Sequence, residues 1–244
     1  MQTPPSAPEE FRPDTAAARR IIDRVLQRGD ELLTEPEAKE VLSAYGVPVV
    51  ETQIAHNTLE AGQLAVELGV PVALKILSHD ITHKSDVGGV VLDLEGERAT
   101  TTAAEAMMQR VRDRFPEAEI EGFTVQKMVR RAGAWELVVG ASTDALFGPV
   151  LLFGHGGTAV EVVRDRAIAL PPLNLNLARE LMSRTRIYRL LPGYRDRAPA
   201  ALQSISMTLL RVSPLLVDIP EIIELDIHPL LADAHGVVSV DARV

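Results

Sequence analysis

Apolar residues at helical spacing dominate the start of the chain. An apolar stripe after Thr15 predicts a helix, and the stripe consists of Ile21, Ile22, Val25 and Leu26. Gly29 is placed to end this helix. Thr34 and Glu37 have the spacing of a capping box, so a second helix is predicted from there to about Tyr45.

Short apolar or alternating segments then predict strands mixed with helices. The predicted strands are 48–52, 72–76, 90–94, 123–130, 135–140, 149–153 and 159–163, with helices near 61–68 and 99–114. Near the end, apolar residues from Leu202 to Leu216 repeat at helical spacing, and Pro214 predicts a kink or an early end near Ser213. Successive strands without helices between them favour antiparallel sheets and an α+β fold.

The same pattern suggests how the chain is divided. A proline-rich segment, 1–13, is expected to be a disordered leader or linker. Two α+β lobes are expected after it, 14–125 and 126–244, dividing near Gln126.

The C-terminal segment predicts a hairpin with one acidic face. Glu224, Asp226 and His228 alternate with apolar residues, and a turn through 232–236 would set Asp241 across from Asp226 or His228. Carboxylates opposite each other need a cation, and Mg²⁺ prefers such oxygens. The alternative is a solvated sheet face with Arg243 as the counter-charge.

Three other segments are candidates for ligand contacts. After the strand containing Lys75, a loop carries His83, Lys84 and the pair Gly88-Gly89, which suits an anion or an ordinary polar loop. The segment 154–157, Gly-His-Gly-Gly, could line a ligand or form a tight turn, and His155 fits the turn better. The segment 125–129 could present its backbone to an adenine or be common core β structure.

Composition narrows the classes of partner. The net charge of −9 and the lack of a dense basic run argue against nucleic acid. No apolar stretch is long enough to cross a membrane, and the chain has no cysteine. The N-terminus lacks the features of a signal peptide, so a cytoplasmic protein is expected.

Several segments together resemble the ATP-grasp domain of NDP-forming acyl-CoA synthetases, of the type of the beta subunit of ADP-forming acetate–CoA ligase. They occur in the family's order across about residues 30–244, and are 33–50, 72–90, 125–128, 136–140, 147–162, IIELDIHPLLAD and DARV. The segment 169–200 is similar to a branch fused to GNAT-type protein acetyltransferases, in which the synthetase-like part is often regulatory.

The resemblance implies an ATP-grasp fold of two α+β lobes with ATP or ADP bound between them, together with Mg²⁺. The implied catalytic residue is His83, which in active relatives relays phosphate. The implied metal ligands are Asp226, His228 and Asp241. The implied nucleotide-binding residues are Lys75, Lys84, Gly88, Gly89, Gln126, Lys127, Met128 and Glu136.

Two departures from the family pattern bear on function. His228-Pro229 stands where the family has Asn-Pro, and imidazole suits softer metals than Mg²⁺, so the site is expected to bind Mg²⁺ weakly or to bind without turnover. His155 also stands where a small or apolar residue is commoner in the family. The two hypotheses are a ligase-type domain that transfers phosphate through His83, and a catalytically degenerate regulatory domain of a protein lysine acetyltransferase. In the first, CoA-binding and phosphohistidine-bearing domains must come from the same polypeptide or a partner subunit.

Overall fold

A computed structural model describes residues 12–81, 84–157 and 164–244. By its internal contacts the chain divides into two compact units. Unit 1 contains the described residues up to Glu31, Glu37–Val49 and Arg131–Val244, and unit 2 contains Leu32–Pro36 and Val50–Arg130. None of the helices in the described ranges is long and apolar enough to cross a membrane.

The described residues form both helices and strands. The helices are α1 (Thr15–Arg28), α2 (Glu35–Ala44), α3 (Thr58–Leu68), α4 (Gly96–Arg114), α5 (Leu175–Ser183) and α6 (Leu202–Asp218). The strands are β1 (Thr52–Ala55), β2 (Val72–Leu77), β3 (Val90–Leu94), β4 (Gly122–Lys127), β5 (Trp135–Asp144), β6 (Gly148–His155), β7 (Arg166–Ala169), β8 (Glu224–Asp233), β9 (Gly236–Ser239) and β10 (Ala242–Arg243). Short 3-10 turns cover Lys84–Val87 and Ile187–Arg189.

Unit 2 is built on an antiparallel sheet in the order β1-β4-β2-β3. One face packs its apolar side chains, including Leu74 and Val125, against α3 and α4. Because side chains alternate along a strand, the residues between them lie on the other face. Lys75 pairs with Thr124 there, and Gln126 lies two residues further along β4. This polar face is nevertheless buried, since all three residues are at most 6 % exposed.

Unit 1 has a second antiparallel sheet in the order β10-β8-β5-β6-β7, with β9 also paired to β8. Helices from the start of the chain join residues from its end in this unit. The Tyr45 hydroxyl donates to the Asp218 carboxylate at 2.9 Å, and the Arg211 guanidinium donates to the Gly46 carbonyl oxygen at 2.7 Å. Val49 forms a bridge to Ser239. Unit 1 is therefore discontinuous in sequence, with most of unit 2 inserted between its parts.

The sequence predicted the first helix and its left-handed Gly29 cap correctly. Leu26 was wrongly placed in the apolar stripe, because it is 51 % exposed and the buried side lies over Ala18, Ile21, Ile22 and Val25. The predicted strand 48–52 is also wrong, since β1 begins only at Thr52, where β4 supplies its hydrogen-bonding partner.

Two predictions near the end of the chain need correction. The early end predicted near Ser213 is wrong, because α6 runs through Pro214 to Asp218 with Leu215 and Leu216 buried beyond the proline, and the alternative of a kink stays a prediction. The hairpin turn is tighter than predicted, since Asp233 already pairs with Gly236. The predicted strand 159–163 lies outside the described residues, as does most of the leader, and the lobe limits 14–125 and 126–244 stay a prediction.

Candidate nucleotide and metal sites

Two of the predicted phosphate-binding lysines meet one buried carboxylate in unit 2. The Lys75 Nζ atom lies 2.6 Å from Glu35 Oε1, and the Lys84 Nζ atom lies 3.2 Å from Glu35 Oε2. The Glu35 side chain is 3 % exposed and that of Lys75 is 7 % exposed. A buried charge requires a partner of opposite sign, and here both Lys75 and Lys84 lie beside the carboxylate. Sequence reasoning missed Glu35 because its neighbours Thr34 and Glu37 were interpreted only as a helix cap.

The paired glycines are required by the loop itself. The Gly88 N–H donates to the backbone carbonyl oxygen of Ser85 at 3.1 Å. The Gly89 N–H donates to the backbone carbonyl oxygen of Lys84 at 2.7 Å. A Cβ atom on Gly89 would lie 2.7 Å from the side chain of Ile76, so only glycine fits there. Contact of Gly88 and Gly89 with phosphate stays a prediction. His83 lies outside the described residues, and its catalytic role also stays a prediction.

The segment 125–129, predicted to meet the adenine, is bonded to neighbouring residues at Lys127 and Met128. Gln126 is 2 % exposed on β4, which is paired on both sides by β1 and β2. Lys127 forms an ion pair with Glu51 at 2.6 Å, and the Met128 N–H donates to the Pro71 oxygen at 2.9 Å. The segment is thus part of an inner strand and its end, which agrees with the interpretation as core β structure, and adenine contact stays a prediction.

A cleft of about 650 Å³ lies within unit 1 beside the acidic face of β8. Both signs of charge line it. The lining residues are Val138, Gly140, Ala141, Ser142, Leu152, His155, Arg164, Asp165, Arg166, Glu224, Leu225, Asp226 and His228. The sequence anticipated the acidic side from the alternation along β8, where Leu225 and Ile227 are buried beneath it.

The Asp226 carboxyl is a partly buried acidic group of this cleft. Burial raises the pKa of Asp226, and the nearby carboxylates of Glu224 and Asp241 act in the same direction. His228 and Arg243 partly oppose the shift in pKa. A bound cation would stabilise the ionised form of Asp226, as expected at a metal site.

The register of the hairpin settles the position of Asp241. Ala242 pairs with Ile227, so the preceding residue, Asp241, falls on the His228 side. The Asp241 carboxylate accepts the N–H of Ala242 at 2.9 Å. Across the ranges that the structure describes, no three His, Asp or Glu side chains form a group ready to hold a metal ion.

His228 fits a hard metal less well than the two aspartates do. Its Nε2 atom accepts the Gly157 N–H at 3.1 Å, so that lone pair is already used. Asp226 and Asp241 supply the oxygen atoms that Mg²⁺ prefers. The residues present therefore fit Mg²⁺ through two carboxylates, with His228 supporting the neighbouring loop.

The backbone of the Gly-His-Gly-Gly segment lies close to the backbone of neighbouring residues. A Cβ atom on Gly154 would lie 2.5 Å from the Asp165 backbone oxygen, and one on Gly156 would lie 3.0 Å from Leu137. The His155 N–H donates to the same Asp165 oxygen at 2.9 Å. Gly154 and His155 are the last residues of β6, so the interpretation of His155 as a turn residue is wrong, and its side chain lines the cleft.

Asp165 was not predicted from the sequence. Its carboxylate accepts the N–H groups of Arg186 and Ile187, each at 2.7 Å, and anchors the short turn that begins there. No signal in the sequence indicated it, because its two N–H donors are 21 and 22 residues further along the chain.

Glu136 stands at the start of β5, near the end of the glycine segment. Its backbone oxygen accepts the Gly156 N–H at 2.8 Å, and a Cβ atom on Gly157 would lie 3.1 Å from its carboxylate. The side chain is exposed. Its contact with nucleotide stays a prediction.

Comparison with known families defines the class of protein. A family profile described as an ATP-grasp domain matches residues 24–244. Both sheets, all of their strand pairs antiparallel, agree with the predicted α+β class, and the ATP-grasp fold is confirmed. The chain belongs to the ATP-grasp domains of the ADP-forming acyl-CoA synthetase family.

Individual relatives indicate which part of such an enzyme the chain resembles. It is 35 % identical to the beta subunit of acetate–CoA ligase [ADP-forming] I of Pyrococcus furiosus, over 94 % of this chain and 97 % of that subunit. It is 41 % identical to acetate–CoA ligase [ADP-forming] I of Archaeoglobus fulgidus, but spans only 33 % of that longer protein.

Solved structures also match this chain to an acyl-CoA synthetase. A dinucleotide-forming acetyl-coenzyme A synthetase of Ca. Korarchaeum cryptofilum, in complex with coenzyme A and Ca-AMPCP, matches with a TM-score of 0.88 and 36 % identity, over 93 % of this chain and 98 % of that chain. Another form of that synthetase, with coenzyme A and Mg-AMPPCP, matches with a TM-score of 0.81 and 32 % identity, over 93 % of this chain and 98 % of that chain. The resemblance predicted from sequence is therefore confirmed at the level of family and fold.

Proposed function

We propose that this chain binds ATP or ADP with Mg²⁺ and is the nucleotide-binding part of an ADP-forming acyl-CoA synthetase. The observation that carries the proposal is the pair of lysines, Lys75 and Lys84, fixed on one buried carboxylate in unit 2. Ordered ammonium groups are suited to the oxygen atoms of a polyphosphate. A relative of the same fold has been determined with Mg-AMPPCP, which supports this choice of ligand.

The nucleotide would be recognised by residues with separate tasks. Lys75 and Lys84, with the loop at Gly88-Gly89, would contact the phosphates. The backbone around Gln126, Lys127 and Met128 would meet the adenine, as the family resemblance implies. Glu136 would be a further nucleotide-binding residue, as the family resemblance implies.

Asp226 and Asp241 would hold Mg²⁺ through their carboxylates. When bound, the ion supplies positive charge that stabilises phosphate oxygens during transfer. The side chain of Asp226 is well suited to this task because its burial raises its pKa and makes a cation a favoured partner. His228 would support the site through its bond to Gly157.

His83 would relay the phosphoryl group, as the family resemblance implies. Its imidazole nitrogen would form a bond to phosphorus as the bond to the departing ADP oxygen breaks, and the reverse step would return the phosphoryl group to ADP. The acyl and CoA chemistry would need CoA-binding and phosphohistidine-bearing domains on the same polypeptide or on a partner subunit. The relatives are beta subunits or portions of longer synthetases, which supports that division.

Calorimetric titration with ATP, with and without Mg²⁺, tests the binding proposal. We expect Mg²⁺-dependent binding that Asp241→Ala abolishes and Lys75→Met weakens. Asp196→Ala, a change to an exposed aspartate of unit 1, is the control and should bind like the unaltered chain. No binding by the unaltered chain in any condition would refute the nucleotide function.

The role of His83 needs a separate experiment on the complete synthetase. Exchange of radiolabel between ADP and ATP should be lost in His83→Ala. The variant should still bind ATP in the titration above, which separates transfer from binding. Exchange that persists in His83→Ala would remove this histidine from the mechanism.

A second candidate function is a regulatory nucleotide sensor attached to a GNAT-type protein lysine acetyltransferase. The engaged Nε2 atom of His228, at a position where the family has asparagine, favours it, because such a site would bind Mg²⁺ weakly. Under this candidate, His228→Asn should raise Mg²⁺ affinity for the ATP complex. An unaltered chain that already binds Mg·ATP tightly, with no gain in His228→Asn, would favour the synthetase instead.

A further inference from the structure

Glu35 stands at the point where the two phosphate-binding lysines come together. We propose that Glu35 is a positioning residue, which holds the Lys75 and Lys84 ammonium groups in place for the polyphosphate of the nucleotide. The inference rests on the proposed function, because it assumes that these lysines meet phosphate.

The geometry divides the carboxylate between the lysines. Oxygen Oε1 bonds Lys75 at 2.6 Å, and oxygen Oε2 bonds Lys84 at 3.2 Å. Each lysine therefore bonds a different oxygen atom of Glu35, and the orientation of this carboxylate determines where the two ammonium groups lie. Of these three side chains, two are positively charged and one is negatively charged.

The backbone fixes Glu35 in turn. It is the first residue of α2, and a carboxylate at this end of a helix is stabilised by the unpaired N–H groups of the first turn. Lys75 is in the centre of a fully buried strand, so its side chain has little freedom. Lys84 comes from a short loop turn and is the more exposed partner, at 16 %.

The difference in exposure between Lys75 and Lys84 predicts the effect of losing the Glu35 carboxylate. Without Glu35, the two ammonium groups repel each other in a poorly solvated site. Lys84 can relieve the repulsion by turning towards solvent, whereas Lys75 cannot. A nucleotide must then reorder Lys84 when it binds, a loss of affinity of about tenfold for one lysine side chain.

Measurement of the ADP dissociation constant in a double-mutant cycle tests the proposal. The proteins are the unaltered chain, Glu35→Gln, Lys84→Met and the double variant, all with saturating Mg²⁺. We expect about tenfold weaker binding in each single variant. In the double variant we expect at most threefold further loss beyond Lys84→Met, because Glu35 acts through Lys84.

Glu37→Gln is the matched control. Glu37 lies two residues further along α2 and pairs with Arg28 at 2.9 Å, so this change also removes a paired carboxylate from the helix. It should leave ADP affinity within twofold. If Glu35→Gln fails to fold, Glu35→Asp serves in the same cycle, since the shorter side chain keeps the charge but cannot reach both lysines; a three- to tenfold loss is expected.

The possible results distinguish failure of the proposed nucleotide function from failure of the Glu35 role alone. If the unaltered chain does not bind ADP, the proposed function fails and the role of Glu35 fails with it. If the unaltered chain binds but Glu35→Gln binds equally or more tightly, Glu35 is only a competing anion and the positioning role is wrong. If the losses multiply to about a hundredfold in the double variant, Glu35 acts on general structure and the proposal is likewise overturned.

Discussion

Replacement of Asp165 by asparagine tests whether one buried carboxylate supports the cleft of unit 1. The side chain is 7 % exposed and accepts two N–H groups at 2.7 Å. Asparagine keeps one acceptor oxygen but turns an NH₂ group towards the other donor. One backbone N–H of Arg186 or Ile187 is then left without a partner in a buried position.

The expected loss comes from these bonds. A hydrogen bond to a charged group contributes about 1.5–3 kcal/mol, and the bond that remains becomes a weaker neutral one. The ion pair to the Arg186 Nε atom, at 3.6 Å, adds little because that arginine side chain is 72 % exposed. Together these changes lower the free energy of unfolding by about 2–4 kcal/mol.

Urea denaturation followed by Trp135 fluorescence measures this loss. Trp135 is the single tryptophan of the chain, is 4 % exposed and belongs to unit 1, so its signal reports the unit that contains Asp165. Asp144→Asn is the control, because Asp144 accepts two successive N–H groups in the same way, at 2.8 and 3.0 Å, but is exposed. Equal losses in the two variants, or a loss below about 1 kcal/mol for Asp165→Asn, would refute the reasoning.

Three further predictions concern stability. Gly154→Ala should lower the free energy of unfolding by about 1–3 kcal/mol, because its Cβ atom would lie 2.5 Å from the Asp165 backbone oxygen; an unchanged urea midpoint would contradict this. Burial raises the pKa of Tyr45 to about 12, and the hydrogen bond from its hydroxyl to a carboxylate adds to the shift. Its contribution to stability is therefore complete below about pH 10 and falls as the pH rises towards 12, so the stability difference between the unaltered chain and Tyr45→Phe should shrink from pH 9 to 11 in denaturation midpoints; a constant difference would argue against it. Leu151→Ala, at a residue 0 % exposed, should cost about 2–5 kcal/mol, whereas Leu146→Ser, at a residue 88 % exposed, should change unfolding by less than about 0.5 kcal/mol; similar effects would show that burial does not decide the cost.

The hairpin illustrates what the sequence could predict. Alternation along β8 separates Leu225 and Ile227 from Asp226 and His228, and this local pattern gave the acidic face correctly. It could not choose the partner of Asp241, because register depends on the length of the turn, which is shorter than predicted. Local patterns therefore identified which side chains share a face but not which pairs meet.

The lysine site illustrates what the sequence could not predict. Glu35 and Lys75 are forty residues apart in the chain, and nothing in their local patterns indicates that they pair. The burial of Glu35 comes from tertiary packing, which helix capping does not anticipate. The same limit explains Pro214, because buried apolar residues on both sides of it keep α6 continuous where local propensity favours an end.

The discontinuity of unit 1 has a consequence for synthesis of the protein. Helix α1 leaves the ribosome before most of its own unit, which also contains Arg131–Val244. The ribosome must first make Val50–Arg130, roughly 80 residues, which takes about 4–16 s at the usual rates of elongation. Unit 2 can fold in that interval, while Arg19 of α1 stays without its partners Asp218 and Glu221. The nascent chain should therefore be most open to chaperone binding through α1, after unit 2 is complete.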